Sequence, residues 1–369
     1  MLTIVTGGCC AKEKCTGCGA CEQICPKSAI KMDIHNNGYW YPSISQELCI
    51  DCGKCYTICQ QRKEKAEIWD PKAYVGWSND AELRFRSTSG AAFSEIAKLV
   101  IEKGGVVVGA AYEGKNVIHQ VCSTYGGLSK LRQSKYVQSS IGDTYLETRK
   151  LLDSGKKVLF SGTPCQIAGL LAFLGKRREG LVTVSFICRG VCSPVAFRKW
   201  VGEYEEKIGS EVRNVWFKHK VDGWKASPRN IYLEFQNGES INVSGSDNLY
   251  MSAYLDTNVN IRPSCGNCDF KGTSHMEDIT LGDYWGAPEK YDDDKGTSVM
   301  IVNSKLGHKY VEDLKTKNRM NIYECEYDNI VRGNPMLVHS VDRATDSDIF
   351  IDLLGTYTFS EAYDKCKND

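Results

Sequence analysis

Cys15-Thr-Gly-Cys18-Gly-Ala-Cys21-Glu-Gln-Ile-Cys25 is followed, after a spacer, by Cys49-Ile-Asp-Cys52-Gly-Lys-Cys55-Tyr-Thr-Ile-Cys59. Each run is C-x2-C-x2-C-x3-C, a spacing that brings three thiolates onto one face of an iron–sulfur cubane. The fourth cysteine of a run cannot bend back to the same cubane and serves the other one. The spacing therefore predicts one 4Fe–4S cluster on Cys15, Cys18, Cys21 and Cys59, and a second on Cys49, Cys52, Cys55 and Cys25. Zinc usually takes two C-x2-C pairs instead, and a disulfide scaffold suits a short secreted domain better. The chemistry expected is the transfer of single electrons.

Four of the other cysteines also stand where a ligand could. Cys165 follows Gly162-Thr163-Pro164 at a strand-to-helix turn, Cys188 ends a strand before Arg189, and Cys265 and Cys268 form C-x2-C in a polar loop. Strand ends and helix starts on one side of a sheet converge in space, so these four could enclose a third cubane. On the residues alone, half of a zinc site, a redox-active pair and simple packing remain open alternatives.

The elements that must position these residues follow from the apolar periodicity. Residues 1–66 read as a ferredoxin-like unit with an internal repeat, a strand near Ala29–Asp33 and a hairpin insert at Gly38–Pro42. Residues 67–72 read as a linker. From residue 73 to 340 strands alternate with helices, predicting an α/β (α+β) domain with a mixed sheet. Ala73–Trp77 is a strand. Ser87–Gly90 opens a helix with an apolar stripe at Phe93, Ile96, Ala97, Val100 and Ile101. Strands are expected at 106–110, 117–121, 157–160 and 181–187, and helices at 144–152, after Pro164 and after Ser193-Pro194. Residues 212–243 are strand-rich, 299–302 is a strand, 306–315 is a helix, and 341–369 is a packing tail.

Composition narrows the class. Lys plus Arg and Asp plus Glu number 46 each, so nothing points to nucleic acid or to an acidic membrane surface. No apolar run is long enough to span a bilayer, and the N-terminus lacks a signal-peptide core, which makes a cytoplasmic protein the expectation. Eighteen cysteines in such a chain point to metal ligands and to reducing, low-oxygen conditions.

Five ordered segments carry a family resemblance: Lys135-Tyr136-Val137-Gln138-Ser139, Phe160–Gln166, Cys188–Pro194, Cys265-x2-Cys268 and Asp278–Gly286. Together they resemble the beta subunit of the coenzyme F420 hydrogenase and dehydrogenase family, in the form with an N-terminal two-cluster ferredoxin domain. The resemblance runs from about Cys15 to Pro335. It implies a flavoprotein holding FAD and a 4Fe–4S cluster on Cys165, Cys188, Cys265 and Cys268. It also implies that Ser87, Thr88, Ser89, Gly90 and Ala91 lie against the flavin, with Lys135, Tyr136, Val137, Gln138 and Ser139, and Gly162, Thr163, Pro164 and Gln166. Two small-residue turns that open helices are compatible with a dinucleotide diphosphate. The chain departs from the family at Cys192, where Pro is usual, at Gln60 after Cys59, and at Ala91, where a second glycine is frequent.

The function expected is an FAD- and 4Fe–4S-dependent oxidoreductase moving electrons between ferredoxin or another redox protein and a small organic hydride donor or acceptor, such as a deazaflavin. A ferredoxin-dependent reductase of a biosynthetic intermediate is the alternative. A non-catalytic electron-transfer subunit and a zinc-stabilised binding module are the other classes. His275 and Asp283 are the candidate acid–base groups. Lys218, His219, Lys220 and Arg229 are read as a basic patch for an acidic substrate tail, or as a solvated strand end.

Overall fold

The computed structural model describes residues 10–62, 71–272 and 276–367. In the N-terminal unit each cysteine run wraps into a five-residue helix, Ala20–Ile24 or Lys54–Ile58. Each is entered through a glycine at positive φ, Gly19 at 75° and Gly53 at 69°. That conformation disfavours a side chain and turns the run back on itself. Between them β1 (Ile30–Ile34) and β2 (Trp40–Ile44) pair antiparallel, Ile30 opposite Ile44 and Ile34 opposite Trp40.

The main body contains β3 (Lys72–Ser78), β4 (Val106–Glu113), β5 (Asn116–Cys122), β6 (Val158–Ser161) and β7 (Leu181–Phe186). An excursion follows with β8 (Val212–Phe217), β9 (Ile231–Phe235) and β10 (Ser240–Val243), and the chain returns through β11 (Ile279–Asp283), β12 (Ser298–Val302) and β13 (Met320–Glu324). The large sheet has the order β13-β3-β12-β11-β7-β6-β4-β5. β4, β6, β7 and β11 run parallel, and β12 is antiparallel to both β11 and β3. β3 therefore shares the direction of the parallel set, and the ends of β3, β6, β7 and β11 emerge on one side. Ligands bind at that edge in open α/β sheets.

Every residue of β12 is buried, as expected of a strand covered on both faces. The helices Ala92–Glu102 and Lys305–Thr316 cover one face, packing Ile96, Val100, Val311 and Leu314 on Val107, Leu159, Val182 and Met300. The helices Thr144–Asp153 and Pro164–Leu174 cover part of the other, through Tyr145, Ile167 and Leu170 on Val108, Val158 and Phe160. Ala20 and Ile58 of the cysteine unit belong to that same cluster, so the unit is docked on the larger body. Residues 63–70 lie outside the described residues, and Lys72, assigned above to the linker, is already the first residue of β3. Leu99 is fully buried while Phe93 and Ile101 are only partly so. The buried stripe of that helix is thus rotated from the one expected.

The small sheet, β10-β9-β8, is antiparallel. It packs on the helix Pro194–Ile208 and on Leu249–Leu255 through Phe197, Trp200, Phe217 and Tyr250. The tail forms two helices, Ser347–Leu353 and Phe359–Lys367, whose Phe350, Phe359 and Tyr363 enter the same core. Among the described residues no helix is long and apolar enough to cross a membrane.

Candidate metal centres

The folded cysteine runs converge crosswise. Cys15, Cys18, Cys21 and Cys59 line one cavity, and Cys25, Cys49, Cys52 and Cys55 line another. Cys10 joins the first, an extra thiol that the spacing does not assign. Hydrogen bonds with the Cys15 and Cys59 thiols push Cys10 far above its ordinary range. The Cys10 hydrogen bond pulls Cys15 down to about 6 against the opposing effect of burial, and the Arg262 charge adds to that pull. Burial raises Cys18 to about 11. In the second cavity the Ala29 amide donates to Cys25 Sγ at 3.3 Å, the kind of N–H···S bond that favours a ligating thiolate.

The third set is built at the ligand-binding edge of the large sheet. Cys165 is the second residue of the helix Pro164–Leu174, whose start is fixed by a reciprocal cap between Thr163 and Gln166 with Pro164 at its first position. Thr163 Oγ1 is 3.0 Å from Cys165 Sγ. Cys188 lies just beyond β7, and its carbonyl accepts from the Lys271 ammonium, which also donates to Met336 O at 2.5 Å. Cys265 donates its amide to Arg262 O at 3.0 Å, and Cys268 donates its own to Ser340 Oγ at 2.8 Å. Cys165, Cys188, Cys265 and Cys268 line a single cavity together with Arg189, Arg262 and Lys271.

Burial pushes Cys188 to about 12 and Cys265 to about 11, and raises Cys165 well above its usual value. Such thiols ionise when a metal takes them as ligands, and the three cations supply compensating charge. Among the described residues no three His, Cys, Asp or Glu side chains are grouped to hold one metal ion. Each cysteine set surrounds a space, which suits a cubane better than a single ion.

Between the first and third cavities lies Arg262, fully buried. Its Nε and Nη2 donate to Cys15 O at 3.0 and 2.8 Å, and Nη1 donates to Gln138 Oε1 at 3.0 Å. Gln138 also accepts from the Trp40 amide at 3.1 Å and donates to Thr16 O at 3.4 Å. Tyr145 donates to Cys18 O at 2.9 Å. A Cβ added to Gly169 would lie 3.0 Å from Cys18 Sγ, so the helix backbone closes on the first cavity. Nothing in the spacing of Arg262 distinguishes it from a surface residue, and Gln138 is marked only by the resemblance, as a flavin contact. Only the docking of the two units gives them their place.

The residues expected to lie against a flavin divide into two groups. In one, Thr88 Oγ1 lies 3.2 Å from Ser134 Oγ, next to Lys135, while Ser87 and Ser89 donate to the carbonyls of Leu83 and Thr297, each at 2.8 Å. Gly90 is packed so closely that a Cβ would come within 2.4 Å of Gly76 O. Ala91 has φ 71° and opens the helix Ala92–Glu102 without a side-chain cap. Arg132 donates to Ser94 Oγ in the first turn at 3.2 Å. The Ala92 amide already reaches Ser298 Oγ at 3.5 Å, and the other amides of that turn, beside a guanidinium, would suit an anionic diphosphate. Burial pushes the nearby Lys135 down to about 7, with the Arg132 charge adding to it.

The second group faces elsewhere. Gln166 Nε2 donates to Ser139 Oγ at 3.0 Å, and Gln138, Thr163, Pro164 and Gln166 line the third cysteine cavity. Gly162 lies beside Gln166 and the buried His119. Tyr136 packs on Phe217 and Tyr254, and Val137 is buried in the core with Cys192. These residues fit a shell around a metal cluster, and the fit to a diphosphate rests on the first group.

Of the acid–base candidates, His275 lies outside the described residues. Asp283, at the end of β11, accepts from Lys218 Nζ at 2.5 Å. Lys218 is buried at φ 59°, with its ammonium 4.6 Å from the centre of Trp285, which stacks on Trp224. Burial opposes its charge, but Asp283 outweighs that effect and raises its pKa. Lys220 is buried too and donates to the carbonyls of Arg84, Ser89 and Lys295, at 2.6, 3.2 and 2.9 Å. Arg229 pairs with Asp256, and His219 stacks on Tyr232. The expected basic patch is therefore neither an open anion site nor a solvated strand end. Its two lysines are internal fasteners. Asp278 is structural as well, fully buried and accepting from the Thr183 amide and hydroxyl, Arg177 and Ser304.

Residues 155–327 match the family described as the C terminus of the coenzyme F420 hydrogenase/dehydrogenase beta subunit, and residues 14–62 match the 4Fe–4S dicluster domain. Residues 155–327 thus resemble the C-terminal region of the F420 hydrogenase/dehydrogenase beta subunit. The chain is an iron–sulfur electron-transfer protein related to the F420 hydrogenase beta subunit, with a dicluster domain joined to a region of that subunit's C-terminal type. No curated protein matches the chain. A solved structure, the xenon-derivatised F420-reducing NiFe hydrogenase complex from Methanosarcina barkeri, contains a chain that is 16% identical. The match has a TM-score of 0.48 and covers 82% of this chain and 91% of that chain.

Proposed function

We propose that the protein is an FAD- and 4Fe–4S-dependent oxidoreductase that passes electrons between a ferredoxin-type redox protein and an organic hydride donor or acceptor of the deazaflavin class. The observation that carries this reading is the arrangement of three cavities, two in the dicluster unit and one at the sheet edge, each lined by at least four cysteines. Cys15, Cys18, Cys21 and Cys59 would hold the first cubane, Cys25, Cys49, Cys52 and Cys55 the second, and Cys165, Cys188, Cys265 and Cys268 the third. Cys52 is exposed, so the second site would serve as the outer terminal for a redox partner.

FAD supplies the exchange between a two-electron hydride and single electrons. The start of the helix Ala92–Glu102 and Arg132 would bind its diphosphate, with Thr88 and Ser134 shaping the turn beside it. Lys135 Nζ donates to the carbonyls of Arg132 and Gln133 at 2.6 and 3.4 Å, and with burial pushing its pKa down to about 7 it would be the group of this turn that holds a proton near neutral pH. Thr163 would donate to the Cys165 thiolate and fix its orientation.

The test is anaerobic. Full-length protein is mixed in turn with reduced deazaflavin, NADH, NADPH and reduced ferredoxin while flavin absorbance is followed. Bleaching by the deazaflavin supports the reading. Bleaching by ferredoxin alone favours a reductase of another organic substrate, and a reconstituted protein with no flavin absorbance rejects the enzyme in favour of an electron-transfer subunit.

A further inference from the structure

We propose that Arg262 is the coupling residue between the first and third cysteine sites: it fixes their relative position, and its buried charge favours the reduced state of both. This rests on the assignment of cubanes to those two cavities. The residue is attached to both sides at once. Its side chain donates twice to the carbonyl of Cys15, and its own carbonyl accepts from the amide of Cys265. Its amide donates to Val191 O at 3.1 Å, which anchors it to the segment after Cys188. One residue thus joins a cysteine of each site through two hydrogen-bonded links.

The charge of Arg262 demands an explanation. A fully buried guanidinium is expected to be paired. Here its partners are a peptide carbonyl, the Gln138 amide and the faces of Tyr41 and Tyr39, 4.1 and 5.6 Å from the ring centres. These groups are neutral and none is a carboxylate; the Cys15 thiol is an ionisable group beside them. Four thiolates around a cubane carry net negative charge, and each reduction adds one more. The anionic groups on either side are therefore the counter-charge. In a water-poor interior such an attraction is only weakly screened. The cation favours the more negative, reduced form on each side and raises both potentials. The second site, next to the exposed Cys52, Leu48 and Ile50, shares none of these Arg262 hydrogen bonds and ring contacts and serves as an internal reference. The step itself is simple: one electron leaves one cubane as the other gains it, with no bond broken and no proton moved.

The test uses full-length protein reconstituted anaerobically and titrated reductively with EPR detection, the third signal being assigned by its loss in Cys165→Ser. In Arg262→Gln two signals should shift to lower potential while the signal of the second site stays in place. Arg262→Lys keeps the charge but lacks the planar fork, so its potentials should stay near wild type while electron exchange between the first and third sites slows. If Arg262→Gln does not load all three clusters, Gln138→Glu carries the same test. It sets a carboxylate where Oε1 now lies 3.0 Å from Nη1, neutralising the charge with Arg262 in place, and the same two signals should fall. Loaded clusters whose potentials do not move, or three potentials that move together, would overturn the proposal. Wild-type protein short of about twelve irons per chain, the content of three cubanes, would instead overturn the assignment beneath it.

Discussion

Replacing Asp283 with Asn should strand the Lys218 ammonium inside the protein. The pair is short, 2.5 Å from Nζ to Oδ2, and the side chains are 3% and 18% exposed. Breaking a buried pair by removing one partner costs about 3–5 kcal/mol, because the remaining charge has no counter-ion. Asp283 admits some water, which puts the expected loss for Asp283→Asn near the lower end, about 3 kcal/mol. The π faces of Trp285 and Trp224 return only a fraction of that. Lys218→Met leaves a carboxylate that can reach water and should cost less. The double variant removes both charges and should be more stable than Asp283→Asn alone by at least ~1 kcal/mol. The assay is anaerobic denaturant unfolding of the four proteins, read by tryptophan fluorescence and by circular dichroism. A loss below ~1 kcal/mol for Asp283→Asn, or strict additivity in the double variant, would refute the reasoning.

Three other outcomes follow from the structure. His119 is buried, and burial lowers its pKa from 6.5 to about 4. Unfolded chains therefore bind the proton first as pH falls from 6.5, and stability should drop by about 2 kcal/mol by pH 5. His119→Gln should flatten that slope in unfolding curves taken between pH 7 and 5. Gly90→Ala drives a Cβ to 2.4 Å from Gly76 O and 2.7 Å from Ser298 N, both backbone atoms. It should destabilise by about 3 kcal/mol, and a melting temperature equal to wild type would show that the packing gives way. Thr163→Val removes the helix cap and the hydroxyl beside Cys165 Sγ, and should cost about 1 kcal/mol. It should also perturb the EPR signal lost in Cys165→Ser, and an unchanged signal would contradict the placement of the third cluster.

The cysteine runs were readable because their ligand geometry is local: three thiols within seven residues need only tight turns at glycine. The alternation of strand and helix from β3 to the helix Pro194–Ile208 was readable for a similar reason, since each element carries its own period. Long-range partners were not. Lys218 and Lys220 look like solvent-facing charges until Asp283, 65 residues away in the chain, and the carbonyls of Arg84, Ser89 and Lys295 are brought to them. Arg262 stands three residues before Cys265, with no local sign that it reaches Cys15, 247 residues away. The small polar residues at 87–89 and 162–166 suggested open loops for a cofactor. Much of their hydrogen bonding is instead spent on closing turns, and that choice is made by neighbours distant in sequence.

Iron, acid-labile sulfide and flavin, measured together on the anaerobically reconstituted full-length protein, give the most direct reading of a route through three clusters to a flavin. About twelve irons, a similar amount of sulfide and one FAD per chain are predicted. About eight irons would remove the third cluster, zinc without sulfide would remove all three, and absence of flavin would leave a relay with no hydride chemistry of its own.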